Sequence, residues 1–303
     1  MDDVLSGDDR ALVLGGGGVA GIAWEIGLLA GLADRHLDLP EGSDLVVGTS
    51  AGATVGALVT GPGTFAAMVA DQRRPVSETN ERAPAIDTDE MAEMFDLMLS
   101  DDRDRQAVRR RIGSMAMSAA TVPEAERRLI IASRLPVDAW PDRSLVVTAV
   151  DADTGDRVTF DRSSGVSLVD AVAASSAVPG IWPPVTIGAS RYIDGGVYSI
   201  ANEDLADGCG RVVALYPMAV GDEAAQVDQD GLAWVDGRRS PVRRGRCPGP
   251  GGLRVERARP EGAGGLPRCR DRPGRPGHRR RQGVVGERKA AGSAVSGPIA
   301  PSP

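Results

Sequence analysis

Among the short apolar runs of this 303-residue chain are Ala11 to Leu14, Leu45 to Val47 and Val212 to Leu215. Short continuous apolar runs, unlike alternating ones, predict strands buried on both faces, as in parallel sheets. The first strand is expected over Arg10 to Leu14, the second over Asp44 to Val47, and "RVVALYP" (211–217) is the last strand the pattern supports. "LVVTAVDADTGDRVTFD" (145–161) reads as a hairpin turning at Asp153-Thr154-Gly155, and "RYIDGG" (191–196) as a short strand running into a glycine turn. Helical patterns fill the intervals. "IAWEIGLLAGLADRHL" is apolar on most sides and closes near Leu37–Pro40; "SAGATVGALVT" ends at Gly61-Pro62; "SLVDAVAASSAVPG" (167–180) ends at Pro179-Gly180. Strand, helix, strand, helix with buried strands predicts an α/β layer fold.

Residues 63 to 135 follow a different rhythm, amphipathic and helical, with Met91, Met94, Met98, Met115 and Met117 set among Arg and Asp. Flexible thioethers suit a lid over an acyl pocket, although methionines at helical spacing are more often core. No internal repeat is visible.

Charge changes the picture at the C-terminal end. Residues 1–236 hold 18 basic and 38 acidic side chains, a net of −20, whereas residues 237–303 hold 17 and 4, a net of +13. That last segment has 14 Gly and 10 Pro and very few large apolar residues, so it is expected to be a disordered tail after a folded domain spanning 1–236. A basic tail suits nucleic acid or an anionic membrane. The abrupt change near Gly231 to Gly237, and a single lysine (Lys289), fit more simply with GC-rich DNA read out of frame, and no nucleic-acid role is expected. The N-terminal "MDDVLSGDDR" lacks the apolar core of a secretory leader, and the apolar run Val19 to Ala33 contains Glu25 and is too short to span a bilayer. Cys209, Cys247 and Cys269 have no C-x-x-C spacing, which fits a reducing cytoplasm and neither a disulfide framework nor a zinc site.

Candidate chemistry begins at "LVVGTSAGA" (45–53), where a strand runs into Gly48-Thr49-Ser50-Ala51-Gly52. G-x-S-x-G presents a serine on a tight strand-to-helix turn, but its hydroxyl needs a proton acceptor. Only two histidines exist. His36 falls at the end of the first helix and His278 among arginines of the tail, so neither is well placed for a Ser-His-Asp triad. Asp194 is the alternative, at the C-terminal end of a strand and beside Gly195-Gly196, provided burial lifts its pKa from about 4. An isolated aspartate there would read as a turn residue; paired with the elbow it reads as a base.

Developing negative charge also needs donors. In "LGGGGVAG" (14–21) the N–H groups of Gly16, Gly17 and Gly18, at a helix N-terminus, are the candidates for an oxyanion hole. The same glycines fit the dinucleotide fingerprint G-x-G-x-x-G. That fingerprint wants an acidic ribose ligand at the end of the second strand, where Gly48-Thr49-Ser50 stands instead, and this decides against NAD.

Taken in order, "LGGGGVAGIAW", "GTSAGA", "AVAASSAVPGIWPPV" and "YIDGGV" resemble the patatin-like phospholipases, over about residues 11 to 217. The resemblance implies a three-layer α/β/α fold with a mostly parallel central sheet. It also implies hydrolysis of lipid acyl esters by a Ser50–Asp194 dyad, oxyanion contacts from Gly16 to Gly18, and no metal or cofactor. The partner would be a lipid or other acyl ester, met in the cytoplasm or in transient contact at a membrane surface. Ala20 stands where many members carry Arg or Lys, so a neutral ester is expected to suit the chain better than a phospholipid. An acyltransferase using the same acyl-enzyme, and a lipid-binding protein that has lost activity, are the alternatives.

Overall fold

A computed structural model describes residues 8–83, 88–100, 102–218, 232–235 and 252–256. Strand β1 (Arg10–Leu14) leads through the glycine loop into helix α1 (Gly18–Ala33), and β2 (Leu45–Gly48) into α2 (Ala51–Thr60). The insert supplies α3 (Phe65–Gln72), α4 (Thr88–Met98), α5 (Arg105–Ser118) and α6 (Glu124–Arg134). Then come β3 (Leu145–Asp151), β4 (Arg157–Phe160), α7 (Leu168–Ser175), β5 (Val185–Ile187), β6 (Ser190–Asp194) and β7 (Arg211–Tyr216), with β8 (Leu232–Val235) and β9 (Gly252–Glu256) last.

The sheet order is β5-β6-β3-β2-β1-β7-β9-β8, with β4 also paired to β3. Its centre, β3-β2-β1-β7, is parallel, as the unbroken apolar runs require. The flanks are mixed: β4 and β6 on β3, β5 on β6 and β9 on β7 are antiparallel, while β8 lies parallel to β9. The fold is thus a mixed α/β architecture, a central sheet flanked by helices. Alternation along the strands divides the core. Leu12, Leu14, Val46, Val147 and Leu215 face α1, α2 and α7, while Ala11, Val13, Val47, Val212 and Ala214 face residues 200–209. A third cluster joins Met94, Val108, Ile112 and Ala116 of α4 and α5 to Val150, Ile193 and Val197. Met91, Met98 and Met115 pack against it, so most of the insert's methionines serve as core, and Met117 is exposed.

Several sequence expectations differ from what is observed. Helix α1 begins at Gly18, inside the glycine run, and α7 ends at Ser175, well before Pro179. Strand β5 carries too few residues to stand out in the pattern and exists by pairing with β6. Strands β8 and β9 follow β7, the last strand the sequence pattern supports; β9 pairs antiparallel with β7 and lies within the segment expected to be a tail. The 236/237 boundary itself, most of that segment, Cys247, Cys269 and His278 lie outside the described residues.

Glu25 is an exception to the apolar face of α1. It is fully buried, and neither carboxyl oxygen has a hydrogen-bond partner of full geometry among the described residues. Burial raises its pKa well above the usual carboxylate range, against a smaller pull from the Gly15 N–H. A carboxyl whose native pKa is raised favours folding at low pH, and that advantage is lost as pH climbs from the unfolded value through the native one. Glu25→Gln, which removes the charge and keeps the shape, is therefore expected to raise Tm more at pH 8 than at pH 5. Paired thermal melts at the two values check this; an equal shift at both would mean that Glu25 is not what titrates.

Candidate active site

The elbow is built from three close approaches. Thr49 N–H donates to the Leu14 carbonyl at 3.0 Å, and Gly52 N–H reaches the Gly15 carbonyl at 3.0 Å and the Thr49 carbonyl at 2.9 Å. These bonds pin the start of α2 against the exit of β1. A Cβ at Gly52 would lie 2.1 Å from the Leu14 carbonyl oxygen, so only glycine fits there. Ser50 itself takes φ 54°, ψ −112°, a conformation that L-residues rarely hold and that a surrounding structure must enforce. Two serines of α7 and its end help to do so: Ser50 N–H donates to Ser175 Oγ at 2.9 Å, and Ser176 Oγ donates to the Ser50 carbonyl at 3.3 Å. Gly52→Ala is expected to force β1 and α2 apart and to cost about 3 kcal/mol or more, in the range of severe overpacking. Urea unfolding monitored by circular dichroism measures it.

Register brings the acid to the serine. Strand β2 pairs with the first half of β3, Gly48 opposite Val147. Strand β6 runs the other way along the same edge and pairs with the second half, Asp194 opposite Ala149. The two strands therefore meet end to end across Thr148, and the turns that follow them converge. Gly195 allows the convergence, because a Cβ there would lie 2.3 Å from Thr148 Oγ1.

A buried polar network locks the junction. Thr49 Oγ1 and Thr148 Oγ1 are 2.9 Å apart. Asn202, buried and left-handed at φ 54°, shares its Nδ2 hydrogens among Thr49 Oγ1, Thr148 Oγ1, and the Gly195 and Ser199 carbonyls at 2.7–3.3 Å. Its Oδ1 accepts from Arg157, whose other contacts are a bidentate pair with Asp204 at 2.6 and 2.7 Å. Arg109 and Arg157 also stack on the Tyr198 ring. Residues 195–204 are thereby tied to β4 and α5.

Ser50 and Asp194 are 7% and 4% exposed. Asp194 Oδ1 accepts from Gly196 N–H at 2.7 Å, which fixes the carboxylate plane. Oδ2 has no hydrogen bond of full geometry, yet the Ser50 hydroxyl lies close enough to draw the carboxyl's pKa down. Desolvation outweighs the opposing effects of Ser50, Gly196 N–H and the Arg127 charge, and the pKa rises to about 6. A carboxylate with that value is a far better proton acceptor near neutrality than one at 3.8.

The glycine loop needs one correction. Gly16 N–H is already committed to the Ile200 carbonyl at 2.8 Å, so it is not free for an oxyanion; its partner comes from the loop after Asp194, which the local sequence does not announce. Gly17 and Gly18 N–H make no hydrogen bond among the described residues. Gly18, at φ 60°, borders open space, since a Cβ there would meet nothing within 4 Å. His36 is exposed at the end of α1, and Ala20 is exposed on its first turn. Among the described residues no group of three or more His, Cys, Asp or Glu could hold a metal ion.

Sequence reading missed Ser175, Ser176, Thr148, Asn202 and Arg127. The adjacent serines at the end of α7, directly after the apolar run 171–174, were the one visible signal of a buried polar task. Arg127 carries none: it is one of three arginines in "EAERRLIIASR", yet it is 3% exposed and lies over the Trp182 ring at 3.8 Å.

The patatin-like phospholipase family model matches residues 12–207. A search of curated proteins finds no match. Among solved structures, VipD from Legionella pneumophila is 14% identical with a TM-score of 0.36, over 62% of this chain and 46% of that one. The type III effector protein ExoU is 18% identical with a TM-score of 0.31, over 58% and 40%. The chain spans less than half the length of either.

Proposed function

Because the chain belongs to the patatin-like phospholipase family, we propose that it is a serine hydrolase cleaving acyl esters of lipids, of phospholipase A or lysophospholipase type. Ser50 is the nucleophile and Asp194 the base. The observation that carries this reading is the end-to-end meeting of β2 and β6 on one edge of β3, which delivers an elbow serine and a buried aspartate to one point.

Asp194 Oδ2 takes the proton as Ser50 Oγ attacks the ester carbonyl. The oxyanion receives Gly17 and Gly18 N–H. Collapse expels the alcohol, which leaves with the proton held on Asp194. A water molecule then gives its proton to Asp194 and attacks the acyl-enzyme, and the released Ser50 oxygen recovers that proton as the fatty acid departs. One residue thus acts as base and acid in each half of the cycle.

Both members of the dyad are nearly closed off, which supports a cover that moves; the helical insert 63–135 is the segment we assign to it. We place the catalytic domain at 1–236. No helix among the described residues is long and apolar enough to cross a membrane. A cytoplasmic protein touching the bilayer surface transiently is the setting we propose. The test is fatty-acid release from p-nitrophenyl esters, monoacylglycerol and lysophospholipid by wild type and Ser50→Ala, with added glycerol as competing acyl acceptor. Release by wild type alone is expected. No turnover of any ester by folded wild type would favour the inactive lipid-binding reading, and transfer to glycerol in preference to water would favour an acyltransferase.

A further inference from the structure

A cavity of about 170 Å³ lies between α1 and α2, with a further wall from the insert, through α3, residues 76–81 and α6. It starts beside the proposed site. Val19 follows Gly18, and Thr54 stands one helical turn beyond Ser50, its N–H on the Ser50 carbonyl at 3.3 Å. Val19, Ile22, Leu58 and Val76 form the apolar side, of which Val19 and Val76 are exposed. The two arginines that line the cavity are both paired, Arg74 with Asp71 at 3.0 Å and Arg134 with Glu81 at 2.6 and 2.8 Å. An anionic ligand would find no free cation there.

One hydroxyl in this wall is left over. Thr54 is 1% exposed, and its Oγ1 has no hydrogen-bond partner among the described residues. A threonine inside a helix commonly returns its hydroxyl to the carbonyl four residues back. Thr60 of the same helix does so, to Gly56 at 2.6 Å. Thr54 finds that acceptor taken: the Ser50 carbonyl already receives Ala53 N–H, Thr54 N–H and Ser176 Oγ. A buried hydroxyl without a partner costs stability, and valine would fill the same volume without that cost.

Resting on the dyad reading above, we propose that this cavity receives the acyl chain of the substrate, and that Thr54 Oγ1 hydrogen-bonds a keto or hydroxyl oxygen on the first few carbons of that chain. The direction follows from the chemistry. Asp194 must hand its proton to the leaving alcohol, so the alcohol departs on the side of β6 and residues 195–204, and none of these lines the cavity. The acyl chain is left with the side between α1 and α2. A cavity of about 150 Å³ holds benzene, so this one has room for about six carbons. A longer chain continues past the exposed Val19 and Val76. Paired charges and one spare hydroxyl select an uncharged oxygen over an ionised one.

The test holds the leaving group constant and compares p-nitrophenyl 4-oxopentanoate with p-nitrophenyl pentanoate, for wild type, Thr54→Val and Thr54→Ser. The kcat/KM ratio of oxo to plain ester is expected to be about tenfold in wild type, the scale of one neutral hydrogen bond. It is expected to vanish in Thr54→Val and to persist in Thr54→Ser, which keeps the hydroxyl. No preference in wild type, or a preference that survives Thr54→Val, overturns the proposal. Thr54→Val is also expected to melt at or above the wild-type temperature, because it removes an unpaired hydroxyl; a lower melt would mean that the hydroxyl is bonded within the protein, and overturns it too. Ethyl and glyceryl pentanoate read the other side of the ester. A Thr54→Val effect confined to the glyceryl ester overturns the acyl assignment.

A second readout needs no turnover. In the Ser50→Ala background, 4-oxopentanamide and pentanamide are titrated by NMR, with and without Thr54→Val. Tighter binding of the oxo amide, lost with Thr54→Val, is expected. If neither amide is preferred while wild type hydrolyses both esters, the cavity proposal fails and the dyad stands. If the oxo amide is preferred while no ester is turned over, the dyad reading fails and the oxygen-binding cavity stands.

Discussion

Ser50→Ala is expected to lower ester hydrolysis by roughly 10⁴- to 10⁶-fold, the scale on which removal of an activated serine acts. The magnitude follows from the site's construction. Ser50 holds the strained φ of 54° only because Ser175, Ser176, Gly52 and the β1 exit constrain it, and no other hydroxyl is set at that point of the elbow. Alanine keeps the backbone bonds, so the variant is expected to fold as wild type and lose only the proposed nucleophile. Initial rates on a p-nitrophenyl ester, with a thermal melt alongside, measure both halves of that statement. A variant that retains more than a hundredth of the activity would require a different nucleophile.

Asp194→Asn is expected to cost about 10⁴-fold, comparable to the loss when a triad aspartate becomes asparagine. In the proposed mechanism the aspartate is the base itself. Asparagine can still accept from Gly196 N–H and fill the same buried volume, but its amide cannot take the serine proton. Because the wild-type carboxyl is raised to about 6, kcat/KM is expected to be low below pH 5, to rise through about pH 6 and to level above pH 7.

Stability should move the other way. A carboxyl raised from 3.8 to about 6 favours the folded state below the unfolded value, and that contribution, about 3 kcal/mol, is lost as pH rises through 6. Asp194→Asn is therefore expected to be more stable than wild type above pH 7 and to lose that advantage near pH 4, as urea titrations at the two values would show. A proposed base that weakens the fold above its own pKa fits the general exchange of stability for function.

Much of this was legible in the chain because it is local. Unbroken apolar runs mark β1 and β2 as buried strands and β7 as a further strand, and G-x-S-x-G marks the elbow by its own spacing. Asp194 was legible as a strand end beside two glycines. Its pairing with Ser50 follows there from the lack of a placed histidine and from the resemblance; the geometry of the meeting is not legible, because it depends on β2 and β6 sharing one edge of β3, a relation between residues more than 140 positions apart. Gly16 shows the same limit: as a loop glycine it looks like an oxyanion donor, and only the Ile200 carbonyl, distant in sequence, takes its N–H away. Asn202 and Arg127 sit in polar stretches that resemble any solvated surface, and burial alone separates them from their neighbours.

The measurement that bears most directly on a serine activated by an aspartate with no histidine is the pH dependence of fluorophosphonate labelling, followed by intact mass on wild type, Ser50→Ala and Asp194→Asn. One label on wild type is expected, with a rate governed by a single ionisation near pH 6, no label on Ser50→Ala, and slow labelling without that ionisation on Asp194→Asn. Labelling of Asp194→Asn at the wild-type rate, or with the same acid limb, would contradict Asp194 as the base.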